Sequence, residues 1–212
     1  MELRQLTKRN KILLFFLAVL FGTGCYKDNP VGDHDVLWKG RILEKGTNKP
    51  VPNADIFLYE HELDGDLWGG SPRILTNSYK ADGEGWYQFT FNDLAKHGYE
   101  IQVVANEYYE SKKMSPNEVN GVSKMDVVLD SYAWIKFHVK NVNPYDDNDE
   151  IYIGSSKAIV GSRVDTTFVS QEIGNAKFSF NNWVIKNKKQ LVIKDSINFL
   201  PAHDTIFHEI LY

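Results

Sequence analysis

The chain has 212 residues, of which 42% are hydrophobic and 25% are charged. This composition is that of an ordered globular protein of one or two modest domains, not of a disordered or collagen-like chain. With 24 Lys and Arg residues against 28 Asp and Glu residues, the net charge is −4. Because DNA and RNA binding depend on concentrated positive charge, we expect no nucleic-acid partner.

Residues 1–24 have the layout of a signal peptide. Basic residues precede an apolar run at 12–21, and the small residues 22–24 then lead to Cys25, as in exported proteins. As a helix this run would extend about 15 Å, roughly half the hydrocarbon thickness of a bilayer. A permanent membrane span is therefore the weaker interpretation, and we expect the segment to be removed.

Cys25 is the only cysteine, so no intramolecular disulfide can form and stability has to come from packing. Its position resembles the lipobox of bacterial lipoproteins, and Lys27-Asp28 resembles the surface-export signal of Bacteroidota lipoproteins. The resemblance implies acylation of Cys25, a membrane partner through the lipid, and an outer-membrane location on either face. Residues 25–34 are polar and indicate a tether. An ordinary secretory signal that is cut near Gly24 is the alternative.

From residue 35 onwards the apolar residues recur with a period of two, which is typical of strands. The segment 82–85 accepts positive φ and predicts a hairpin between 73–80 and 86–91, and 92–97 predicts one helical turn. No segment offers a long amphipathic crossover helix. The sequence therefore predicts an all-β fold, with an Ig-like β-sandwich at 35–130. The expected strands lie near 37–42, 55–60, 73–80, 86–91, 99–105 and 125–129.

Several motifs of 35–130 occur in an order that resembles the carboxypeptidase regulatory-like domain. They are Gly40, Pro50-Val51-Pro52-Asn53-Ala54, Asp82 with Gly85, Tyr87 and Phe89, and the strand 99–103. Ala81 stands where the family usually has Thr, and Glu107-Tyr108 where it usually has Gly-Tyr. The resemblance implies a transthyretin-like or Ig-like sandwich for folding and docking, with no catalytic residue. Strand alternation predicts that Tyr87 and Phe89 are buried.

Residues 131–212 predict a second, small antiparallel β unit. Ala133, Ile135, Phe137 and Val139 alternate with more polar residues, which predicts a half-exposed strand. A unit of this length is marginally stable alone, so we expect it to rest on the first. The sequence shows no family for this unit and no usable internal repeat. Further strands are expected at 150–154, 166–172, 177–180, 190–193 and 205–211.

No catalytic motif is complete. His61-Glu62 and His208-Glu209 lack the second histidine of a zinc protease, and neither a nucleophile elbow nor a phosphate-binding loop is present. We therefore expect no enzyme, no cofactor and no metal, although a triad assembled in space would leave no local motif. The acidic residues 146–150, like 64–66, offer oxygen ligands to Ca²⁺, but an acidic turn is more often solvated. His203 and His208 would point to opposite faces of a strand, which disfavours a shared ion.

Aromatic residues are the best candidates for binding. Trp68 lies in a glycine-containing loop, and an indole there can stack on a sugar or fill a pocket; alternatively it folds back over the sandwich edge. Tyr108 and Tyr109 could extend an aromatic surface with Trp86, Tyr132 and Trp134, or fill the interface between the two β units. The leading interpretation is a binding or assembly lipoprotein with an envelope-protein or glycan partner. A carbohydrate-binding accessory lipoprotein and a divergent hydrolase are the alternatives.

Overall fold

The structure, a computed structural model, describes residues 34–63, 72–116, 118–119 and 121–212. These residues form strands, turns and loops, so the all-β prediction is confirmed, and none of them belongs to a helix that could cross a membrane. The segment predicted to be a signal peptide, Cys25 and Trp68 lie outside them. The strands are β1 (His34–Glu44), β2 (Asp55–Glu62), β3 (Ile74–Lys80), β4 (Trp86–Asp93), β5 (His97–Val104), β6 (Glu118–Val119), β7 (Val122–Lys124), β8 (Val127–Leu129), β9 (Tyr132–Lys140), β10 (Glu150–Ile153), β11 (Ile159–Val160), β12 (Asp165–Ile173), β13 (Ala176–Lys186), β14 (Lys189–Leu200) and β15 (Thr205–Leu211).

Two sheets enclose the first hydrophobic core. One has the order β4-β1-β7-β6, with β8 also paired to β1, and the other has the order β3-β2-β5. Every second residue of β1 turns inward, so that Val36, Trp38 and Ile42 are buried. Tyr87 and Phe89 of β4 are buried in the same core, as alternation predicts. The first core is therefore the inside of a β-sandwich.

Two further sheets enclose a second core. Their orders are β12-β9-β15 and β11-β10-β13-β14. Ala133, Ile135, Phe137 and Val139 of β9 are all buried, which confirms the predicted alternation. Most strand pairs here are antiparallel as expected, but β15 runs parallel to β9. Both cores belong to one compact unit, His34–Tyr212.

The turn at 82–85 is tight, but the hairpin predicted there is wrong. The Asp82 side chain accepts the backbone N–H groups of Glu84 and Trp86 at 2.9 and 2.8 Å, so the local reversal is as expected. However, β3 pairs with β2, whereas β4 pairs with β1 in the opposite sheet. The turn therefore carries the chain from one sheet to the other, because the inward residues of β4 complete the core from the β1 side.

The helical turn predicted at 92–97 is also wrong. Strand β4 continues to Asp93, and β5 begins at His97 after a short turn. Lys96 takes a positive φ of 67° in this turn, and the His97 N–H donates to the Leu94 carbonyl at 3.2 Å. Residues that cap helices are also those that stabilise turns, so local sequence does not separate the two cases.

The two halves share one pairing scheme. In each, the first strand (β1 or β9) lies between an antiparallel fourth strand (β4 or β12) and a parallel last strand (β8 or β15). The second strand (β2 or β10) pairs with the third and the fifth. The structure thus contains a repeat of topology that is not visible in the sequence, because strand alternation depends on burial and not on residue identity.

Gly40 allows the closest backbone approach in the first core. A Cβ atom at this position would lie 1.9 Å from the Met125 carbonyl oxygen, and the Tyr87 hydroxyl donates to the same carbonyl at 2.6 Å. We expect Gly40→Ala to lower the free energy of unfolding by about 3 kcal/mol, because the backbone must move to admit the methyl group. Urea denaturation of the full chain measures this change. Gly83→Ala is the control, since its Cβ would meet nothing within 4 Å; equal effects would contradict the prediction.

Candidate functional site

Tyr108 and Tyr109 lie where the two halves meet. The Tyr108 hydroxyl donates to Glu44 at 3.1 Å, and its ring packs edge-on against His203 with centroids 4.9 Å apart. Tyr109 packs against Tyr132 in the same way, at 4.6 Å. These contacts match the interface alternative that the sequence leaves open. Whether either tyrosine also binds a ligand stays a prediction.

Glu44, at the end of β1, is the centre of a polar cluster between the two halves. It is 4% exposed. Four groups surround its carboxylate: the Thr47 hydroxyl at 2.7 Å, the Tyr108 hydroxyl at 3.1 Å, Asn175 Nδ2 at 3.1 Å and His203 Nε2 at 2.9 Å. We call these five residues the Glu44 cluster. Sequence reasoning missed it because His203 is 159 residues from Glu44, and no local pattern indicates such a contact.

The Glu44 carboxylate keeps its negative charge. Burial raises the pKa of Glu44, but hydrogen bonds from Thr47, His203, Tyr108 and Asn175 outweigh it and hold this pKa below its ordinary value of 4.5. Burial and the Glu44 charge raise the pKa of Tyr108, so the tyrosine keeps its proton. A carboxylate with four partners has no free lone pair directed at solvent. The cluster therefore links the two halves through hydrogen bonds.

An open groove of about 700 Å³ lies on the first sandwich. Trp86 of β4 lines it and is 53% exposed. The Arg41 guanidinium lies 5.1 Å from the centre of the Trp86 ring. Alternation could have identified this residue, because Tyr87 and Phe89 point inward and Trp86 must then point outward. Lys39, Gly40, Asp82, Lys124 and Asp126 also line the groove.

The polar groups of the groove hold its shape. The Asp82 side chain accepts hydrogen bonds from two backbone N–H groups. The Asp126 side chain accepts one from the backbone N–H of Arg41 at 2.8 Å. Burial, with a smaller contribution from the Asp126 charge, raises the pKa of Tyr87, so its hydroxyl stays protonated. What faces the groove is an aromatic ring with lysines beside it. Such a lining can stack against and hydrogen-bond a ligand.

The acidic loop 146–150 directs its carboxylates at protein donors. Asp146 accepts the Asn148 N–H, Asp147 accepts the Ser162 hydroxyl, and Asp149 accepts the Tyr145 N–H. Across the described residues, no three His, Cys, Asp or Glu side chains are grouped to hold a metal ion. His203 and His208 contact different carboxylates, Glu44 and Asp195. Residues 64–66 lie outside the described part.

Glu107 takes a positive φ of 64°. This left-handed conformation costs a residue with a side chain about 1–2 kcal/mol. We expect Glu107→Gly to raise the free energy of unfolding by about 1 kcal/mol, because the exposed ion pair with His203, at 3.5 Å, contributes little. Thermal unfolding measures the change. Glu107→Ala keeps the strain and loses the pair, so a comparable gain in that variant would refute this explanation.

No family model and no curated protein matches the chain. Among solved structures, it is similar to the D295N mutant of the shaft pilin SpaA from Lactobacillus rhamnosus GG, with 8% identity over 84% of this chain and 97% of that one, and a TM-score of 0.36. It is similar to a streptococcal ancillary pilin, with 10% identity, coverage of 82% and 62%, and a TM-score of 0.37. It is also similar to a 9R-lipoxygenase from Cyanothece, with 17% identity and a TM-score of 0.30, where 44% of this chain covers 16% of the enzyme. These similarities identify no family, and the chain is defined by its fold, two β-sandwich cores in one compact unit.

Proposed function

We propose that the chain is a non-enzymatic lipoprotein of the outer membrane, anchored through Cys25, that binds or assembles with an envelope partner. The observation that carries the proposal is the outer face of the sheet β12-β9-β15. In the strand register, Val169 and Phe207 both lie opposite Lys136, and alternation turns all three away from the core. Phe207 is 59% exposed. Exposed apolar groups that share one surface are typical of interaction sites.

The same face carries further apolar and aromatic residues. Tyr132 and Trp134 of β9 point outward, because their neighbours Ala133 and Ile135 are buried. Ile173 pairs with Tyr132 at one end of the face, and Leu211 pairs with Lys140 at the other. Aromatic residues of this kind are enriched at protein interfaces. The Glu44 cluster supports the proposal, since it fixes this face relative to the Trp86 groove.

Site-specific photo-crosslinking in the producing cells tests the face. We expect a photoreactive residue at position 207 or 169 to give discrete adducts with an envelope component. The same residue at position 49, in an exposed turn of the first sandwich, should give none. Identical adduct patterns at 207 and 49, or no adducts at 207, would contradict the proposal.

Metabolic labelling with palmitate tests the anchor. Wild type should incorporate the label and fractionate with membranes, whereas Cys25→Ala should remain unlabelled, because the diacylglyceryl group that carries the acyl chains is attached through the thiol sulfur. Acylation of this kind supplies about 0.8 kcal/mol of membrane binding per buried methylene. Equal labelling of both proteins would show that Cys25 is not the acylated residue. The crosslinking result would not be affected.

Carbohydrate binding is the second candidate, and the exposed Trp86 beside the groove favours it. A ring that stacks on a sugar contributes most of the contact area at low entropic cost. On a glycan array, Trp86→Ala should lose at least tenfold in signal, since about 1.4 kcal/mol corresponds to tenfold in affinity. Trp68→Ala tests the residue chosen from sequence. Unaltered binding by both variants would reject this function. For a divergent hydrolase, nothing in the described residues offers a comparable argument.

A further inference from the structure

Three side chains at or next to the ends of different strands meet at one end of the second sandwich. Asn141 directly follows β9, Asp149 directly precedes β10, and Lys186 ends β13. Because β9 belongs to one sheet and β10 and β13 belong to the other, the three residues bridge the two layers. Asn141 and Asp149 are buried, Asp149 with 0% of its surface exposed.

The carboxamide of Asn141 lies between the amine and the carboxylate. Lys186 Nζ donates to Asn141 Oδ1 at 2.7 Å, and Asn141 Nδ2 donates to Asp149 Oδ2 at 2.9 Å. The direct distance from Nζ to Asp149 Oδ2 is 3.9 Å. In a simple buried ion pair the two charged groups would hydrogen-bond to each other. Here the amine is presented to the carbonyl of an amide, and the carboxylate is presented to the nitrogen of that amide.

The surrounding contacts hold this arrangement in place. The Tyr145 and Asp146 N–H groups donate to Asp149 at 2.7 and 3.4 Å. Lys186 Nζ also donates to the Asn143 carbonyl at 2.7 Å and lies 4.8 Å from the Tyr212 ring centre. With a C=O bond of about 1.2 Å, Nζ is at most about 4 Å from the Asn141 Cγ atom, close to the distance of a near-attack arrangement.

Asp149 has the charge state that a proton acceptor needs. Burial raises its pKa, but the hydrogen bonds from Asn141, Tyr145 and Asp146 and the charge of Lys186 outweigh burial and hold this pKa below its ordinary value. The ionised carboxylate has its Oδ2 atom 3.9 Å from Lys186 Nζ, within reach to accept a proton from the lysine.

We propose that Lys186 and Asn141 form an intramolecular isopeptide bond, with Asp149 as the general acid and base. Asp149 takes a proton from the Lys186 ammonium group, and the freed lone pair of Nζ attacks Asn141 Cγ. The new Nζ–Cγ bond forms and the Cγ–Nδ2 bond breaks, while Asp149 returns its proton to Nδ2, which leaves as ammonia. The second proton lost by Nζ passes through Asp149 to the ammonia, so ammonium is released and charge is conserved.

The exchange needs no oxidant or co-reactant, since one amide replaces another and the small product escapes to solvent. The product would join the two sheets of the second sandwich covalently and close a loop of 45 residues. A disulfide cannot do this within the chain, because Cys25 is the only cysteine. The isopeptide bond would supply a reduction-resistant crosslink instead.

Peptide mapping of the full chain tests the proposal. After denaturation and trypsin digestion, the bond should join peptide 141–157 to peptide 178–188, and the pair should weigh one ammonia less than the sum of its parts. Trypsin should no longer cleave after Lys186, because its amine is blocked. Lys186→Arg and Asp149→Asn should yield only separate peptides. Lys194→Arg, an exposed position on β14, should retain the linked pair.

Two results would overturn the proposal. If folded wild type yields only the separate peptides 141–157 and 178–186, no bond forms, and this measurement does not depend on whether any variant folds. If Asp149→Asn is linked to the same extent as wild type, the carboxylate is not the acid and base of the reaction. Circular dichroism of each variant before digestion distinguishes loss of the bond from loss of the fold.

Discussion

Replacing Phe137 with alanine should lower the free energy of unfolding by about 4 kcal/mol, the range found when a buried aromatic ring is removed from a core. Phe137 is 2% exposed and lies at the centre of the second core. Its ring centre is 5.2 Å from that of Phe168 and 5.4 Å from that of Phe180. Phe168 belongs to the same sheet and Phe180 to the opposite one. The substitution therefore removes contacts within a sheet and across the sandwich.

Urea denaturation, monitored by near-ultraviolet circular dichroism, measures this change in the free energy of unfolding of the full chain. Phe207→Ala is the matched control, because it removes the same ring from the outer face, where the side chain is 59% exposed. Surface substitutions of this kind usually change stability by about 0.5 kcal/mol or less. Similar losses in both variants would mean that Phe137 is not the central residue of its core.

Replacing Glu44 with alanine should cost about 3 kcal/mol and weaken the coupling between the two cores. The carboxylate is the shared acceptor of Tyr108, Asn175 and His203. Its removal deprives the half-buried Tyr108 and Asn175 and the exposed His203 of their charged acceptor, and a hydrogen bond to a charged group contributes about 1.5–3 kcal/mol. In wild type we expect one unfolding transition, and in Glu44→Ala two that are separated in temperature. Calorimetry detects the difference. A single transition in both proteins would contradict the proposed role of the Glu44 cluster in linking the two halves.

The same carboxylate predicts how stability depends on pH. Its pKa is lower in the folded state than its ordinary value of 4.5. The stabilisation is therefore complete above pH 4.5 and is lost as the pH falls through the lower folded-state value. Glu44→Gln should flatten this acid decline, whereas Glu84→Gln, at an exposed turn, should leave it unchanged. A decline of equal steepness in the Glu44→Gln variant would show that other carboxylates cause it.

The strands were the most predictable part of the fold. Tyr132–Lys140 and Thr205–Leu211 follow from alternation almost to the residue, because burial on one face of a sheet imposes a period of two. Which strands pair with each other was less predictable. The turn at 82–85 has the residues of a hairpin, yet it connects two sheets, since turn chemistry fixes the reversal of the chain and not the partner of the next strand.

The candidate sites were the least predictable part. The Glu44 cluster and the contacts of Asn141, Asp149 and Lys186 join residues that are far apart along the chain, and neither has a local motif. The acidic loop 146–150 is recognisable in the sequence, and its composition favours a solvated turn or a calcium site. Only the fold shows that the Asp149 side chain points inward and contacts the Asn141 carboxamide. By contrast, the outward direction of Tyr132 and Trp134 follows directly from the buried residues between and beside them.

The parallel pairing of first and last strands affects how the chain would respond to tension. β1 runs beside β8, and β9 runs beside β15 over seven residue pairs. When a half is stretched from its two ends, neighbouring parallel strands are dragged lengthwise past each other. Their hydrogen bonds are then loaded in shear, together, rather than unzipped one at a time. Forced unfolding is governed by the rate of crossing that barrier, so this geometry should slow the unfolding of either half under a stretching force.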